Sequence, residues 1–484
     1  MTTGDRTGND DLGQKRGLVL ASIAMGVFLA TIDSSIVNVS LPTMVDELGT
    51  TFSIIQWVVL AYLLTVTTLM LTIGRLADIL GKKKIYQTGM VIFTAGSVLC
   101  GISTEVGWLI AFRVIQAVGA AMMMALGNAI LTEVFPENQR GKVLGINGLM
   151  VSMGVITGPM LGGLILDALS WRWIFFVNIP VGLLGILFVQ LFVPHIKPTH
   201  RQKFDIPGSL LLFVGLLLFS LAMTIGQNIG FGSWIPWTFF GTGLASLVIF
   251  YNHEKKVDAP LINLSLFKNR LFSINVGTGF LAFVASSGLI FLTPFFLQDV
   301  LGLDHGTIGL LMAVVPLLMG GIAPISGALS DKYGSRILTT IGLVVLVIAY
   351  LSVSTLDIET TQLGYILRFI PFGIGIGLFQ SPNNSAIMGS VPRTSLGVAS
   401  GLLSLTRTLG QTTGISVMGA LWGARMQYYQ NQFNALEAQV SALHDTTRVM
   451  VVIIFIALCF SSWALYIDLR MKKNINKQTG WQGK

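Results

Sequence analysis

Gly74-Arg75-Leu76-Ala77-Asp78-Ile79-Leu80-Gly81-Lys82-Lys83-Lys84 closes one long apolar segment and opens the next. A short charged link between two apolar runs reads as a hairpin between membrane helices, with the lysines holding it on the cytoplasmic side. Gly74 and Gly81 let the helix ends approach closely. Asp78 can cap a helix end or pair across the loop. Gly327-Ala328-Leu329-Ser330-Asp331-Lys332-Tyr333-Gly334-Ser335-Arg336 repeats the pattern in degraded form. A duplicated hairpin points to two related halves, the construction of a transporter.

Composition agrees. Of 484 residues, 53% are hydrophobic and only 11% charged, and the apolar residues come in long unbroken runs. A chain that reads this way has lipid as its solvent. The net charge of +8 is topological and does not signal nucleic acid. Lys15, Arg16, the lysines at 82 to 84, Lys142, Lys197, Lys203, Lys255, Lys256, Lys268, Lys332, Lys472, Lys473 and Lys477 fall in alternate loops or at the ends, whereas the intervening loops are mainly acidic. By the positive-inside rule both termini lie in the cytoplasm of a multi-pass protein of the plasma (inner) membrane. No cleavable leader is expected. Cys100 and Cys459 sit in apolar runs and read as small buried hydrophobes rather than a disulfide.

Apolar segments near 17–40, 52–74, 86–104, 107–130, 143–166, 173–193, 207–227, 234–252, 271–298, 307–329, 337–355, 363–387, 397–423 and 447–468 each suffice to cross a bilayer. The expected fold is therefore all-α and integral to the membrane, with fourteen spans. Residues 424–446 read as the longest outer loop, and Trp108, Trp171, Trp173, Trp234, Trp237 and Trp422 as interfacial anchors. Asp78 and Asp331 are 253 positions apart, Arg113 and Arg368 255, and Gly158 and Gly414 256. This near-constant offset divides the chain into a leader (1–16), a six-helix bundle (17–195), a linker with two extra spans (196–260), a second six-helix bundle (261–470) and a tail (471–484).

Asp33 is the carboxylate lying well inside an apolar segment. Insertion scales put the cost of such a group at about 3 kcal/mol, so an incidental acid is not expected there. It lies about 24 Å along the first span, and Arg113 about 9 Å in from the outer end of the fourth, which places both at one depth. If those spans are neighbours, Arg113 can answer the protonation state of Asp33. The competing reading is a static ion pair, or a neutral acid, that locks two helices. Gln116, one turn beyond Arg113, can share these bonds or serve as interhelical glue.

The hairpin at 74–84 resembles the signature loop of the major facilitator superfamily of secondary transporters. Ile32-Asp33-Ser34-Ser35-Ile36-Val37-Asn38-Val39-Ser40-Leu41-Pro42 resembles the first-span motif of its fourteen-helix drug:proton antiporters, and Ser170-Trp171-Arg172-Trp173-Ile174-Phe175-Phe176-Val177-Asn178-Ile179-Pro180 is similar to that branch too. Arg113-Val114-Ile115-Gln116-Ala117-Val118-Gly119 matches the fourth-span motif, and the Gly154, Gly158, Pro159, Gly162 series in the fifth resembles the antiporter motif. The resemblance implies two pseudo-symmetric six-helix bundles with two inserted helices, and a proton-coupling role for Asp33 and Arg113. It also implies a gate latch built from Gly74, Arg75, Asp78, Gly81 and Lys82 with Asp331 and Arg336. Asn38, Gln116, Gln380, Asn383, Asn384 and Arg407 are the candidate cavity residues. On the residues alone, the small-residue series is a tight helix contact, and the loop lysines at least anchor topology.

Arg368 and Arg407 complicate a cationic substrate. Arg407 lies about 15 Å into its span, and no second-half carboxylate shares that depth. Unless these guanidiniums face backbone carbonyls, an anionic, zwitterionic or lipid-like substrate stays open. No phosphate loop, dinucleotide site or metal-ligand spacing is found, so no enzyme, cofactor or metal is expected. The leading expectation is a monomeric, proton-driven exporter of hydrophobic small molecules working by alternating access. A lipid or envelope-precursor translocator and a non-transporting receptor are the alternatives.

Overall fold

The computed structural model describes residues 6–50, 52–195, 204–257, 260–262 and 264–479. Lys197, Lys203, the first five residues of the leader and the last five of the tail lie outside them. Among the described residues there is no strand, and fourteen long helices carry the fold. They are α1 (Arg6–Glu47), α2 (Trp57–Leu80), α3 (Lys82–Gly101), α4 (Val106–Val134), α5 (Arg140–Ala168), α6 (Asn178–Phe192, after a single turn at Trp173–Phe176) and α7 (Ile206–Ile229). The others are α8 (Trp234–Glu254), α9 (Arg270–Phe295), α10 (His305–Tyr333), α11 (Ser335–Val353), α12 (Gln362–Gly389), α13 (Leu396–Gln430) and α14 (Ala435–Thr479).

Twelve of these helices are long and apolar enough to cross a membrane by length and composition alone. The exceptions, α3 and α13, are diluted by three opening lysines and by Arg407, Gln411 and many Ser and Thr residues respectively. Packing explains why they are nonetheless helices among helices. α3 lies against α4, and α13 against α2, α4 and α9. Lipid-facing positions repeat at helical spacing, as with exposed Leu184, Leu187 and Leu191 on α6.

The halves are internally packed. One core joins α1 to α6 and reaches into Leu402, Leu403 and Leu405 of α13. A second fills the space among α9 to α12 and α14. Between the halves run two seams, α5 against α10 and α2 against α13. The inserted α7 and α8 pack on each other, and α7 stands against α2 and α13 beside one seam. Their junctions are tied by charge. Asp205 accepts the Gly208 amide at 3.0 Å and faces His253 Nε2 at 3.0 Å, while Glu254 accepts the amides of Leu261 and Ile262 at 3.2 and 3.0 Å.

Residues 424–446, expected as an outer loop, are mostly helical, with α13 running to Gln430 and α14 starting at Ala435. Their polarity reflects helix projecting beyond the bilayer. Asp445 clasps the two projections, accepting from Tyr429 Oη at 2.9 Å and pairing with Arg425 at 3.2 Å. Trp171 is no interfacial anchor. It is fully buried, edge-on to Phe175 and under the Arg172 guanidinium. Cys459 is exposed rather than buried, whereas Cys100 is buried.

Candidate proton-coupling and gating site

The chain's duplicated hairpin performs the same act twice. Gly81 (φ +99°) and Gly334 (φ +95°) make matching left-handed turns after α2 and α10, a backbone region that strongly favours glycine. One turn earlier, Asp78 accepts the amides of Gly397 and Val398 at 2.9 and 3.1 Å. Asp331 accepts those of Gly141 and Lys142 at 2.8 and 3.0 Å. Gly397 and Gly141 open α13 and α5, whose first amides have no intrahelical acceptor and carry the positive end of the helix dipole. Each aspartate therefore caps a helix of the opposite half.

Close backbone approach makes this capping possible. A Cβ on Gly74 would strike the backbone of Gly397, and one on Gly327 that of Gly141. Ser381 Oγ adds a bond to the Gly141 carbonyl at 2.9 Å, and Ser404 Oγ one to Met124 O at 3.0 Å. The seam contacts continue to Gly320 beside Ser152, and to Thr408 beside Met70. That depth is about 17 Å from the capping aspartates, roughly half the bilayer. Among the described residues no hydrogen bond joins the halves farther from the hairpins. The structure is thus closed on the face bearing the two hairpins, termed here the basic face.

Lys82, a further latch candidate, acts locally. Lys82 pairs with Asp78 at 3.3 Å and Glu133 at 3.1 Å, within the first half. Arg75 is buried at the same level, with its Nε unbonded. Arg336 is half-buried at the start of α11.

The second cluster lies inside the first half. Arg113 on α4 meets Asp33 on α1 at 2.5 Å, and both side chains are wholly inaccessible. Gln116 Nε2 donates to the other carboxylate oxygen at 2.8 Å, and Asn178 Nδ2 on α6 donates to that same oxygen at 2.9 Å. Arg113 also donates to Val58 O at 3.0 Å and to Gln116 Oε1 at 2.7 Å, and its guanidinium lies 4.1 Å from the centre of the Tyr62 ring. Ser97 on α3 accepts from Gln116 at 2.8 Å. The equal depth expected for Asp33 and Arg113 is realised as direct contact. Removing one partner of such a buried pair costs about 3–5 kcal/mol, because the survivor is left charged in a low-dielectric site.

Asn178 and Ser97 are site residues that the sequence reading does not mark. Asn178 lies in the quoted 170–180 motif, and a lone amide at a helix start was the one available signal. Ser97 gave none, since serines are scattered through every span. Gln116 is sealed into this cluster and does not line a space between the halves. Asn38 is exposed and bonds its own helix, donating to Ser34 O at 3.2 Å.

The glycines of α5 grip the opposite side of the same stretch of α1. Gly154 abuts Thr31 and Ile32, Gly158 abuts Ser35 and Ile36, and Gly162 abuts Ile36. Ser35 Oγ donates to Gly154 O at 3.0 Å. Pro159 belongs to the same helix. Asp33 therefore sits on a helix held by α4 and α6 on one side and by α5 on the other.

In the second half, Arg368 is satisfied away from the membrane centre. It donates to Thr355 Oγ1 at 2.9 Å and to Gly364 O at 3.1 Å. Its sequence counterpart Arg113 binds a carboxylate, so the repeat keeps the residue and not its role. Arg407 is half-buried and makes no hydrogen bond or ion pair among the described residues. Asn383 is buried with Oδ1 unpartnered, and Gln380 and Asn384 are half-buried beside it on α12.

Two repeated helical bundles, sealed against each other on one face by glycine-backbone contacts and reciprocal caps, define the architecture of a secondary transporter. The family profile described as Major Facilitator Superfamily matches residues 23–415, and the chain belongs to that superfamily. It is a multi-pass membrane transporter and not an enzyme. It is 35% identical over 451 residues to the riboflavin transporter RibZ of Clostridioides difficile (strain 630), covering 92% of this chain and 96% of the relative. It is 32% identical over 412 residues to the multidrug transporter protein MdtP of Bacillus subtilis (strain 168), covering 85% and 76%. Among solved structures, the human organic anion transporter MFSD10 superposes with a TM-score of 0.65 at 14% identity, over 91% of this chain and 99% of that one. At that identity the likeness concerns the fold alone.

Proposed function

We propose that the protein is a proton-driven exporter of hydrophobic small molecules, working by alternating access with Asp33 as the coupling carboxylate. The observation that carries this reading is the sealed Asp33–Arg113 pair, which reaches α4 and α6 directly while its helix rests on the glycines of α5. In this reading the basic face is cytoplasmic, and the bundles rock about the two seams.

Protonating Asp33 removes the anion that holds Arg113, Gln116 and Asn178 together. The guanidinium is then left with Val58 O and Gln116 Oε1. That imbalance is worth several kcal/mol at a solvent-inaccessible position, enough to reset how α1 packs. Because α5 grips α1 and also forms a seam with α10, a shift of α1 reaches the basic-face closure through direct contact. Inward proton movement through 100 mV adds about 2.3 kcal/mol per charge. The names of the relatives, one a multidrug and one a riboflavin transporter, support a small organic molecule as the substrate.

The test is transport in proteoliposomes under an imposed pH gradient, with riboflavin and lipophilic dyes as substrates. Transport should follow the gradient, and Asp33→Asn should remove that dependence while the protein still inserts and elutes as a single species. Full gradient-driven transport by Asp33→Asn would place the proton site elsewhere.

A further inference from the structure

We propose that Arg407 receives an anionic group of the substrate, so that the transporter's preferred substrates are amphipathic aromatic anions. The inference rests on the transporter reading above and adds to it the charge of what is carried.

Position comes first. Arg407 lies about 17 Å from the start of α13, near the middle of the bilayer. Ser404, three residues before it, bonds α4 of the first half. Gly410 and Gly414, beyond it, pack on Phe280, Phe283 and Val284 of α9. At about 100° per residue, the Arg407 side chain falls between these two contact directions. It therefore points between the α4-facing and the α9-facing sides of α13, at the depth where the contacts between the halves end. Gln411, one turn on and about 40° away, is exposed on the same side.

Charge comes next. A guanidinium at membrane depth ordinarily has a carboxylate or backbone carbonyls as partners. Arg113 has both, and Arg368 has a carbonyl and a hydroxyl. Among the described residues Arg407 has neither, yet its nitrogens are not sealed away as orphaned buried atoms. The chain offers it no counter-ion either, because no Asp or Glu occurs in the middle of any second-half span. The one acid lying well inside a span, Asp33, is wholly buried and paired with Arg113. A cationic ligand would thus meet a fixed positive charge with no acid to offset it. An anion would meet a guanidinium free to make two parallel charge-assisted hydrogen bonds. Half-buried Phe280 and Phe283 supply aromatic surface nearby on α9.

The experiment compares two dyes on one xanthene scaffold, anionic fluorescein and cationic rhodamine 123. Binding is followed by fluorescence anisotropy to the full-length protein in phosphatidylcholine nanodiscs. No gradient is applied, so the result is independent of whether Asp33 couples protons. Fluorescein should bind at least tenfold more tightly than rhodamine 123. Arg407→Ala should weaken fluorescein at least tenfold and leave rhodamine 123 unchanged or improved, and Arg407→Lys should recover part of the loss. Should Arg407→Ala fail to fold, Gln411→Glu provides a second arm. It sets a carboxylate one turn from the guanidinium, within pairing distance on the helix, and should weaken fluorescein by a similar factor. Equal affinity for the two dyes, or fluorescein binding indifferent to both substitutions, would overturn the proposal. Displacement of fluorescein by adding phosphatidylglycerol to the nanodiscs would assign the guanidinium to a lipid headgroup and overturn it equally.

Discussion

Removing Asp78 should open the basic face by an amount that its two hydrogen bonds fix. In Asp78→Ala the amides of Gly397 and Val398 lose a carboxylate at 2.9 and 3.1 Å. Bonds to a charged acceptor contribute about 1.5–3 kcal/mol each. The lower end applies here, because the freed amides lie at the membrane edge, where water can replace the carboxylate. The closed arrangement should therefore lose about 3 kcal/mol relative to the open one, a shift of about 150-fold in their ratio. Asp78→Asn keeps one acceptor oxygen and should lose about half of that energy. Double electron–electron resonance can read the effect from spin labels at Leu80→Cys and Tyr333→Cys, two exposed positions after the matched aspartates, in a Cys459→Ser background. The wild type should give one short distance, and Asp78→Ala a second, longer population. Combining Asp78→Ala with Asp331→Ala should enlarge it further, since the two caps are independent. Unchanged distance distributions in all three variants would refute the capping account.

Asn178→Ala should destabilise the protein by about 1.5–3 kcal/mol, because Asp33 loses one of its three donors. Thermal unfolding in detergent measures this, and no change would remove Asn178 from the cluster. Gly158→Val places a branched side chain where a Cβ already meets Ser35 and stands 3.0 Å from Ile36 N. Overpacking of that kind costs about 1–3 kcal/mol and should slow transport more than it lowers expression. Arg368→Ala should leave the affinities for fluorescein and rhodamine 123 as they are, in contrast to Arg407→Ala, because its partners lie at the α11–α12 turn. Outside the membrane, the hydroxyl and amide of Thr307 hold the Asp304 carboxyl below its usual range. Its cap on α10 is present above the usual carboxylate pKa and lost as pH falls through the lowered one. The gap in melting temperature between wild type and Asp304→Ala should therefore close as the pH is brought below the ordinary carboxylate range.

Fourteen helices, their duplication and the shared depth of Asp33 and Arg113 were legible in the chain because each leaves a one-dimensional trace. Apolar run length counts the spans, a constant offset reveals the repeat, and rise per residue sets depth. The hairpin glycines could be read as points of close approach, but not what they approach. That Gly74 meets Gly397, and that Asp78 caps the helix beginning there, depends on residues more than 300 positions away. Repeat arithmetic marks Arg368 as the counterpart of Arg113 but not its surroundings, which are Thr355 and the Gly364 carbonyl because the second half has no acid to draw it inward.

What the order of residues determined by itself is what lipid demands: helices long enough to span, basic loops on one side, and few charges between. Which way each polar side chain points was decided only when the helices packed. Gln116 turned into the first half, Asn178 joined it, and Arg407 was left between the α4 and α9 sides of its helix with no partner among the described residues. The physical reason is that periodicity fixes a residue's depth and its angle relative to its own helix, whereas its surroundings depend on how that helix is rotated against neighbours distant in sequence. In this protein those rotations separate a sealed ion pair from a guanidinium that has no partner among the described residues.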